Sequence, residues 1–381
     1  MKKAISLLLV MTLIICTPAF TFAGSEGEME FTGAAIELSL EAAKKAMLTS
    51  GAAIEVANLT MRANKAKTKS HYEKQLDARI LRDQAQPLLG EYKPTKVQVE
   101  SIAYQAEFAR EQTQRNYDAA LNKIVRDTVA AYYGLAQAKE ALRISNDNVS
   151  IQEKLYQNTQ SKFNLGVMSK QDVLVAEVGL NDARVKAGDA EKKYNEARMG
   201  FNIAFGYDLM QNISITDTLG EATGSDIPLD RAIAMALENR NEICEAVFNL
   251  TLAEYGLQQL SGISKTSATY LEAAAGLLGA QTALANEPKQ IEMDVRTKYM
   301  DMVQQKSAVE LGKLSVANAR ETYRLANLQF DAGMITLTET QQAQVLAYQT
   351  ELAYSKTLLD YNLAIIDYEQ SVTVGTSGVK F

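Results

Sequence analysis

The sequence has no tryptophan, two cysteines, five prolines and a single histidine among 381 residues. Because His71 has no second histidine to act with, Ser-His-Asp catalysis and multi-histidine metal sites are disfavoured. The Asp and Glu residues are scattered, with no glycine-rich loop and no metal-ligand spacing. The sequence therefore predicts no enzyme, no metal site and no cofactor.

Positive charge is also in deficit. Lys and Arg total 39 against 46 Asp and Glu, which gives a net charge of -7. This balance argues against nucleic acid as a partner, because phosphate binding needs a basic face. Proline is absent from Thr95 to Ile227, so long helices can form there without interruption.

The N-terminus has the pattern of an export signal. Two lysines precede an apolar run that ends at Cys16, and Pro18 and the small residue Ala23 follow. The apolar run is shorter than the roughly 20 residues of a membrane-spanning helix, which disfavours an uncleaved anchor. We predict a signal peptide at residues 1–23, cleaved after Ala23, and a linker at residues 24–33.

The rest of the chain contains an internal repeat. Residues 40–54 match residues 229–243 at an offset of 189. A longer match at an offset of 167 pairs Asp127, Tyr132, Tyr156, Phe163 and Gly166 with Asp294, Tyr299, Tyr323, Phe330 and Gly333. Two copies are too few for a stacked solenoid. The repeat predicts a duplicated helical unit, residues 34–210 and 225–376.

Each copy ends in a heptad pattern. Small, apolar and aromatic residues recur with alternating spacings of four and three over residues 176–204, and the spacing returns over residues 343–371. This spacing is typical of a coiled-coil seam. The residues before it, 123–163 and 291–330, predict single long helices. The fold class is therefore all-α: duplicated long antiparallel coiled-coil hairpins that form an extended helical bundle.

The turns that join the helices of each hairpin have matching sequences. Gly166 and Gly333 stand where a left-handed residue can end a helix. Ser169 precedes Asp172 by three positions, which is the spacing of a capping box. The same spacing recurs at Thr336 and Glu339. Each copy is predicted to end in an exposed tip, and an acidic residue there is typical of any helix N-terminus.

These openings and tips resemble the TolC-like outer membrane efflux protein family over nearly the whole chain that follows the predicted signal. The resemblance implies a homotrimer in which each chain supplies two helical hairpins to a twelve-helix tunnel. It also implies two partners: a periplasmic adaptor, or membrane fusion protein, and an inner-membrane pump to which the adaptor is tied.

The resemblance also implies roles for individual residues. Six match the tip positions used for adaptor docking: Gly166, Val167, Met168, Gly333, Met334 and Ile335. Three match the tunnel constriction. Glu339 falls where the family often has a carboxylate that narrows the tunnel mouth, Asp172 is its partner in the first copy, and Gln342 stands where some members have a second carboxylate.

One feature departs from the family. Its members insert β-strands between the first and second helices of each copy, and three chains pool them into an outer-membrane barrel. Residues 62–123 and 256–290 lack the alternating segments of roughly ten residues that such strands require. We predict helix, a loop at residues 86–95, and helix in the first window. In the second we predict a break at Pro288 and a buried bundle helix at residues 270–285, with lipid or partner contact as the alternative. Little or no β-barrel is expected.

Two functions remain open. The first is an export conduit, a trimeric helical tunnel that passes small molecules or polypeptides from an inner-membrane transporter across the cell envelope. The alternative is an exported coiled-coil scaffold of the same family that has lost channel activity. The tip motifs favour the conduit and the missing strands favour the scaffold. The resemblance implies an outer-membrane location, and absent strands imply a periplasmic or extracytoplasmic one.

Overall fold

A computed structural model describes residues 31–84 and 94–381, so the predicted signal peptide and its cleavage after Ala23 lie outside the described residues. This part of the chain forms two short strands and eight helices. In chain order they are β1 (Thr32–Leu38), α1 (Leu40–Ser50), α2 (Ala52–Asp83), α3 (Lys96–Asn164), α4 (Lys170–Phe205), β2 (Gln211–Ile215), α5 (Leu229–Asn239), α6 (Asn241–Gln259), α7 (Ala268–Asp331) and α8 (Leu337–Ser371).

Two very long helices set the length of the molecule. Helix α3 has 69 residues and α7 has 64, so at 1.5 Å per residue each is about 100 Å long. A capping box starts α3, where Thr95 accepts a hydrogen bond from the Gln98 N–H and the Gln98 side chain accepts one from the Thr95 N–H. The antiparallel pairs α3–α4 and α7–α8 confirm the predicted long hairpins.

The helices pack side by side in one order along the whole molecule. In the tip half, which holds the α3–α4 and α7–α8 turns, α4 packs on α3, α3 on α8, and α8 on α7. In the far half, α2 packs on α3, α3 on α6, and α6 on α7. Helix α7 therefore forms one edge from end to end, and α4 and α2 together form the other edge.

Two equivalent cores lie near the middle. The first contains Ala43 of α1, Tyr132 of α3 and Phe201 of α4. The second contains Ala232 of α5 and Tyr368 of α8, with Val295 of α7 among their neighbours. Ala43 and Ala232 are fully buried and correspond at the offset of 189. The small side chain lets each short opening helix lie close against its hairpin.

Strands β1 and β2 form a parallel pair in which Ile36 lies opposite Ile213 and Leu38 opposite Ile215. The pair lies beside the first core, since Ile213 and Ile215 are buried within it. No strand was expected here. Residues 32 and 33, which the sequence assigned to a linker, begin β1.

The windows in which the family has inserted strands, residues 62–123 and 256–290, are helical apart from short turns wherever the structure describes them. The predicted break at Pro288 is wrong, because Pro288 lies inside α7. Proline removes one backbone hydrogen bond. The helix continues because Ile291 and Val295 anchor it in the second core directly afterwards. Among the described residues, no helix combines the length and apolar character needed to cross a membrane.

The predicted burial of residues 270–285 is also wrong. They form the first part of α7, yet every residue from 249 to 290 is exposed or only half-buried. Helices α5 and α8 pack against the later part of α7, in the second core. Before that point α7 is paired with α6, which leaves its opposite face uncovered.

Candidate functional site: the paired hairpin tips

The first tip is a tight turn between α3 and α4. Gly166 adopts the left-handed conformation, with a φ of 74°. Its N–H donates to the Phe163 carbonyl at 2.8 Å, and the Val167 N–H donates to the Lys162 carbonyl at 2.9 Å. This pair of bonds is the Schellman motif, which satisfies the last carbonyls of the helix.

The second tip, between α7 and α8, has the same backbone. Gly333 also has a φ of 74°. Its N–H donates to the Phe330 carbonyl at 3.0 Å, and the Met334 N–H donates to the Gln329 carbonyl at 2.8 Å. The duplicated sequence motif is therefore a duplicated turn.

The acidic residues after each turn form capping boxes. The Ser169 N–H donates to the Asp172 carboxylate at 2.9 Å, and the Asp172 N–H donates back to the Ser169 hydroxyl at 3.2 Å. In the second copy the Thr336 N–H donates to the Glu339 carboxylate at 2.7 Å, and the Glu339 N–H returns a bond of 3.3 Å. The Thr336 N–H, and then its hydroxyl, hold the pKa of the Glu339 carboxyl below its ordinary value.

The six tip residues divide into two groups. Gly166, Val167, Gly333 and Met334 are exposed, with 73% of Val167 and 69% of Met334 accessible. Met168 and Ile335 instead pack against a small buried cluster. That cluster, the tip core, consists of Leu155, Ala176, Phe330 and Leu337. It contains residues from both hairpins, so the two tips are presented together.

A charged contact also joins the tips. The Lys162 ammonium group donates to the Asp331 carboxylate at 3.1 Å and lies 4.0 Å above the Phe330 ring. The Asn158 amide donates to the same carboxylate at 2.7 Å. At the offset of 167, Lys162 corresponds to Gln329 and Asp331 to Asn164, so this clasp exists once. The sequence repeat gave no signal for it.

Behind the tip core, α3 and α8 meet through buried amides. The Gln152 amide donates to the Gln344 side-chain oxygen at 2.8 Å, and the Gln344 amide donates to Asn148. All three residues are buried. Gly179 of α4 lies beside them, and a Cβ there would come within 2.5 Å of the Gln341 amide. Behind the tip core, the interface between the hairpins is therefore polar, whereas the tip core and the middle cores are apolar.

The three predicted constriction residues lie just behind the turns. Glu339 and Gln342 are exposed on the first turns of α8, and Asp172 is half-buried on the first turn of α4. Both carboxylates cap their own helices. Within the described residues no group of three or more His, Cys, Asp or Glu side chains is arranged to hold a metal ion.

Paired long helical hairpins are the fold that this chain shares with TolC-like helical tunnel channels. Residues 98–204 match the sequence model of the family described as outer membrane efflux protein. The match covers most of α3 and nearly all of α4, including the first tip, and confirms the resemblance inferred from the motifs. No curated protein sequence gives a significant match.

Solved channel structures share the fold over most of their length. The outer membrane channel CmeC of Campylobacter jejuni aligns with a TM-score of 0.69 and 13% identity, over 90% of this chain and 87% of its own. The outer membrane protein VceC of Vibrio cholerae gives a TM-score of 0.69 and 10% identity, over 89% and 97%. The open MtrE channel of Neisseria gonorrhoeae gives 0.59 and 14%, over 89% and 90%. The matched family and these structures are channels rather than enzymes.

Proposed function

We propose that the chain is the conduit subunit of an efflux or secretion system. Three copies form a helical tunnel through which small molecules or polypeptides pass from an inner-membrane transporter across the cell envelope. The outer membrane is the location that the family and the similar channels favour. The proposal is carried by one observation: the row of helices has two uncovered edges.

The α7 edge has a long apolar stripe. Large hydrophobic side chains recur on its exposed face from the middle of the molecule to the tip, at Met293, Met300, Leu311, Leu314, Leu325 and Leu328. Their separations of seven, eleven, three, eleven and three residues fit a heptad pattern. A stripe of this kind on an exported helix calls for a partner helix.

The opposite edge of the tip half is α4, which has exposed apolar residues of its own at Leu174, Val178 and Val185. If the α7 edge of one copy pairs with the α4 edge of the next, the contact is head-to-tail. Repetition of this contact closes a ring when the rotation between copies fits. A ring of helices encloses a passage. The copy number of three comes from the family resemblance.

The tips supply the docking surface in this proposal. Val167 and Met334 project from two rigid turns that the tip core and the clasp hold together. A periplasmic adaptor tied to an inner-membrane pump is the partner, and exposed apolar side chains on an otherwise polar tip are the contacts that it would bury.

The carboxylates behind the tips are proposed to line the tunnel mouth. A ring of Glu339 side chains would favour cations there, with Asp172 and Gln342 as further polar groups of the constriction. Glu339→Gln is the informative substitution, because glutamine preserves the capping box while it removes the charge. Reconstituted Glu339→Gln protein should show lower cation selectivity than the unchanged protein. Equal selectivity would remove Glu339 from the constriction.

Deletion of the gene tests the conduit itself. Loss of a conduit should raise the susceptibility of the host to toxic compounds, and the unchanged gene should restore resistance. Paired Val167→Asp and Met334→Asp changes should fail to restore it, whereas Lys193→Asp, on an exposed site of the α4 shaft, should restore it. A deletion strain with unchanged susceptibility would instead support the scaffold.

A further inference from the structure

The far half of the molecule has an uncovered helical seam at its α7 edge. Residues of α7 that face away from α6 follow separations of three and four: Ala268, Leu271, Ala275, Leu278, Thr282 and Ala285, all of them exposed. Leu271 is 55% accessible and Leu278 is 64% accessible. Small residues between two leucines form a surface that a second helix can approach closely.

The other edge of the far half, α2, has two faces. Its inner face packs on α3 at positions that alternate by three and four, including Ile54, Ala57, Thr68 and Ala78, all buried. Its outer face has a row of large apolar side chains one turn apart, Tyr72, Leu76 and Ile80, all exposed. Leu76 is 58% accessible. Nothing in the described residues covers this row.

The two uncovered surfaces lie at the same height. Helices α3 and α7 run parallel, their ends are tied by Lys162 and Asp331, and their lengths differ by five residues, so they also begin at similar heights. The Thr68 hydroxyl of α2 lies 3.4 Å from the Thr113 hydroxyl of α3. Because α2 and α3 are antiparallel, Leu76 lies level with a residue about nine positions after the start of α3. Leu278 is ten residues after the start of α7, so it lies at a similar height.

The charges of the two edges are complementary. Helix α2 has seven Lys and Arg against four Asp and Glu. The first part of α7, residues 268–290, has two Glu against one Lys. Opposite charges of this kind steer two surfaces together and disfavour contact between like edges, α2 with α2 or α7 with α7.

We propose that α2 of one copy packs antiparallel on the first part of α7 of the next copy, so that the far half closes as a second helical ring. The inference rests on the proposed ring and extends it: the same α7 edge receives α4 of the next copy in the tip half and α2 in the far half. The occupant of the seam is a second copy of this chain, in the region where the family has inserted strands.

Paired cysteines test this contact in the full chain, with Cys16 and Cys244 replaced by alanine. Leu76→Cys is combined in turn with Leu271→Cys, Ala275→Cys or Leu278→Cys, which samples one helical turn of register on either side of Ala275. A disulfide needs Cα atoms within about 7 Å. In one copy, α2 packs on α3 and α7 on α6, so the expected products after oxidation are cross-linked dimers and trimers.

The matched control moves one cysteine around the helix. Asp77 is exposed at the height of Leu76, but it lies about 100° away around α2. Asp77→Cys with the same α7 partners should give far less cross-linking, as should each single cysteine. Helical content by circular dichroism checks that every variant is folded.

Light scattering on the unchanged protein separates the two levels of inference. An oligomer in which at least one Leu76→Cys pair cross-links, and the Asp77→Cys pairs do not, supports the second ring. An oligomer with no Leu76→Cys cross-link at any of the three positions overturns the second ring and leaves the conduit intact. A monomer overturns both.

Discussion

The two copies of the duplicated unit hold their opening helices by the same hydrogen bond from different donors. In the first copy, the Tyr132 hydroxyl of α3 lies 3.0 Å from the Leu38 carbonyl and 2.9 Å from the Asp217 carboxylate, and its one proton is donated to one of these acceptors at a time. In the second, the Tyr368 hydroxyl of α8 donates to the Ile227 carbonyl at 2.9 Å. Leu38 and Ile227 correspond at the offset of 189, yet the tyrosines come from different helices of their hairpins.

At the two aromatic positions related by the offset of 167, the hydroxyl donor of one copy corresponds to a packing ring in the other. Tyr299 corresponds to Tyr132 and packs on the Tyr368 ring at 5.5 Å, while Phe201 corresponds to Tyr368 and stacks on Phe205. Where one copy has the donor, the other has an aromatic ring. Each tyrosine gives a donor to a backbone carbonyl that is shielded from water, and the Leu38 carbonyl also accepts from the Thr216 N–H. Either neighbouring helix can supply that donor.

The largest expected difference between the copies is the loss of stability at alkaline pH that the Tyr132 hydroxyl causes in the first copy. Burial, and then the hydrogen bond with Asp217, raise the pKa of Tyr132 to about 12 from an ordinary 10.0. The folded state holds this proton more tightly, so the stabilisation is complete below pH 10 and is lost as pH rises towards 12. Its size is on the order of 2 kcal/mol. Chemical denaturation across this range should show a shallower pH slope for Tyr132→Phe than for the unchanged chain.

Burial also raises the pKa of Tyr361 and Tyr368, so part of the slope should persist in Tyr132→Phe. A variant whose slope matches that of the unchanged chain would show that Tyr132 ionises normally.

At neutral pH, the order should reverse: loss of the Tyr368 hydroxyl should lower the free energy of unfolding more than loss of the Tyr132 hydroxyl. Tyr368→Phe takes away the donor that the Ile227 carbonyl has in the structure, and we expect a loss of about 1.5 kcal/mol in the free energy of unfolding. Tyr132→Phe should cost about 1 kcal/mol or less, because the Leu38 carbonyl keeps the Thr216 N–H at 3.0 Å. Urea denaturation measures both values.

Tyr299→Phe is the control for these two variants, since the Tyr299 hydroxyl has no hydrogen-bond partner among the described residues. It should change stability by less than about 0.5 kcal/mol. A larger cost for Tyr132→Phe than for Tyr368→Phe would contradict the proposed difference between the carbonyls.

The tips should behave alike where the middle cores differ. Gly166→Ala and Gly333→Ala each force a side chain into a left-handed conformation, at a cost of about 1 kcal/mol. No atom lies within 4 Å of the added Cβ at either site, so strain alone should act. Thermal unfolding should give equal shifts for the two variants. Gly188→Ala, within α4 and also uncrowded, should instead raise stability.

The smallest expected effect comes from the capping hydroxyls. Ser169→Ala and Thr336→Ala each remove one acceptor from a helix N-terminus, at a cost of about 0.5–1 kcal/mol. Their Ser169→Thr and Thr336→Ser counterparts should be close to neutral. Unequal costs for the two alanine variants, measured by denaturation, would show that the tips are less alike than their backbones.

The hairpins and tips could be predicted because their causes are local. A glycine at a helix end, a hydroxyl three residues before an acid, and a heptad spacing each act within a few turns of chain. The β1–β2 pair could not be predicted in this way, since it pairs Ile36 with Ile213, 177 residues further on, and β2 has five residues. The clasp between Lys162 and Asp331 likewise depends on which hairpins become neighbours.

The wrong predictions have a shared cause. Pro288 was expected to break a helix and residues 270–285 were expected to be buried, and both expectations judged a segment without its surroundings. The second core anchors α7 directly after Pro288. Helix α6 covers one face of residues 270–285 and leaves the opposite face uncovered. The constriction role of Glu339, Asp172 and Gln342 stays a prediction.

The buried amides between α3 and α8 fix the longitudinal register of the two hairpins. Apolar surfaces slide past one another with little penalty at intermediate positions, whereas Gln344 finds its partners Gln152 and Asn148 at one longitudinal setting. A shift by one heptad would move Gln344 away from both and strand buried amides without partners. Helices α3 and α7, each about 100 Å long, thus end at the same level, and the two tips are presented together.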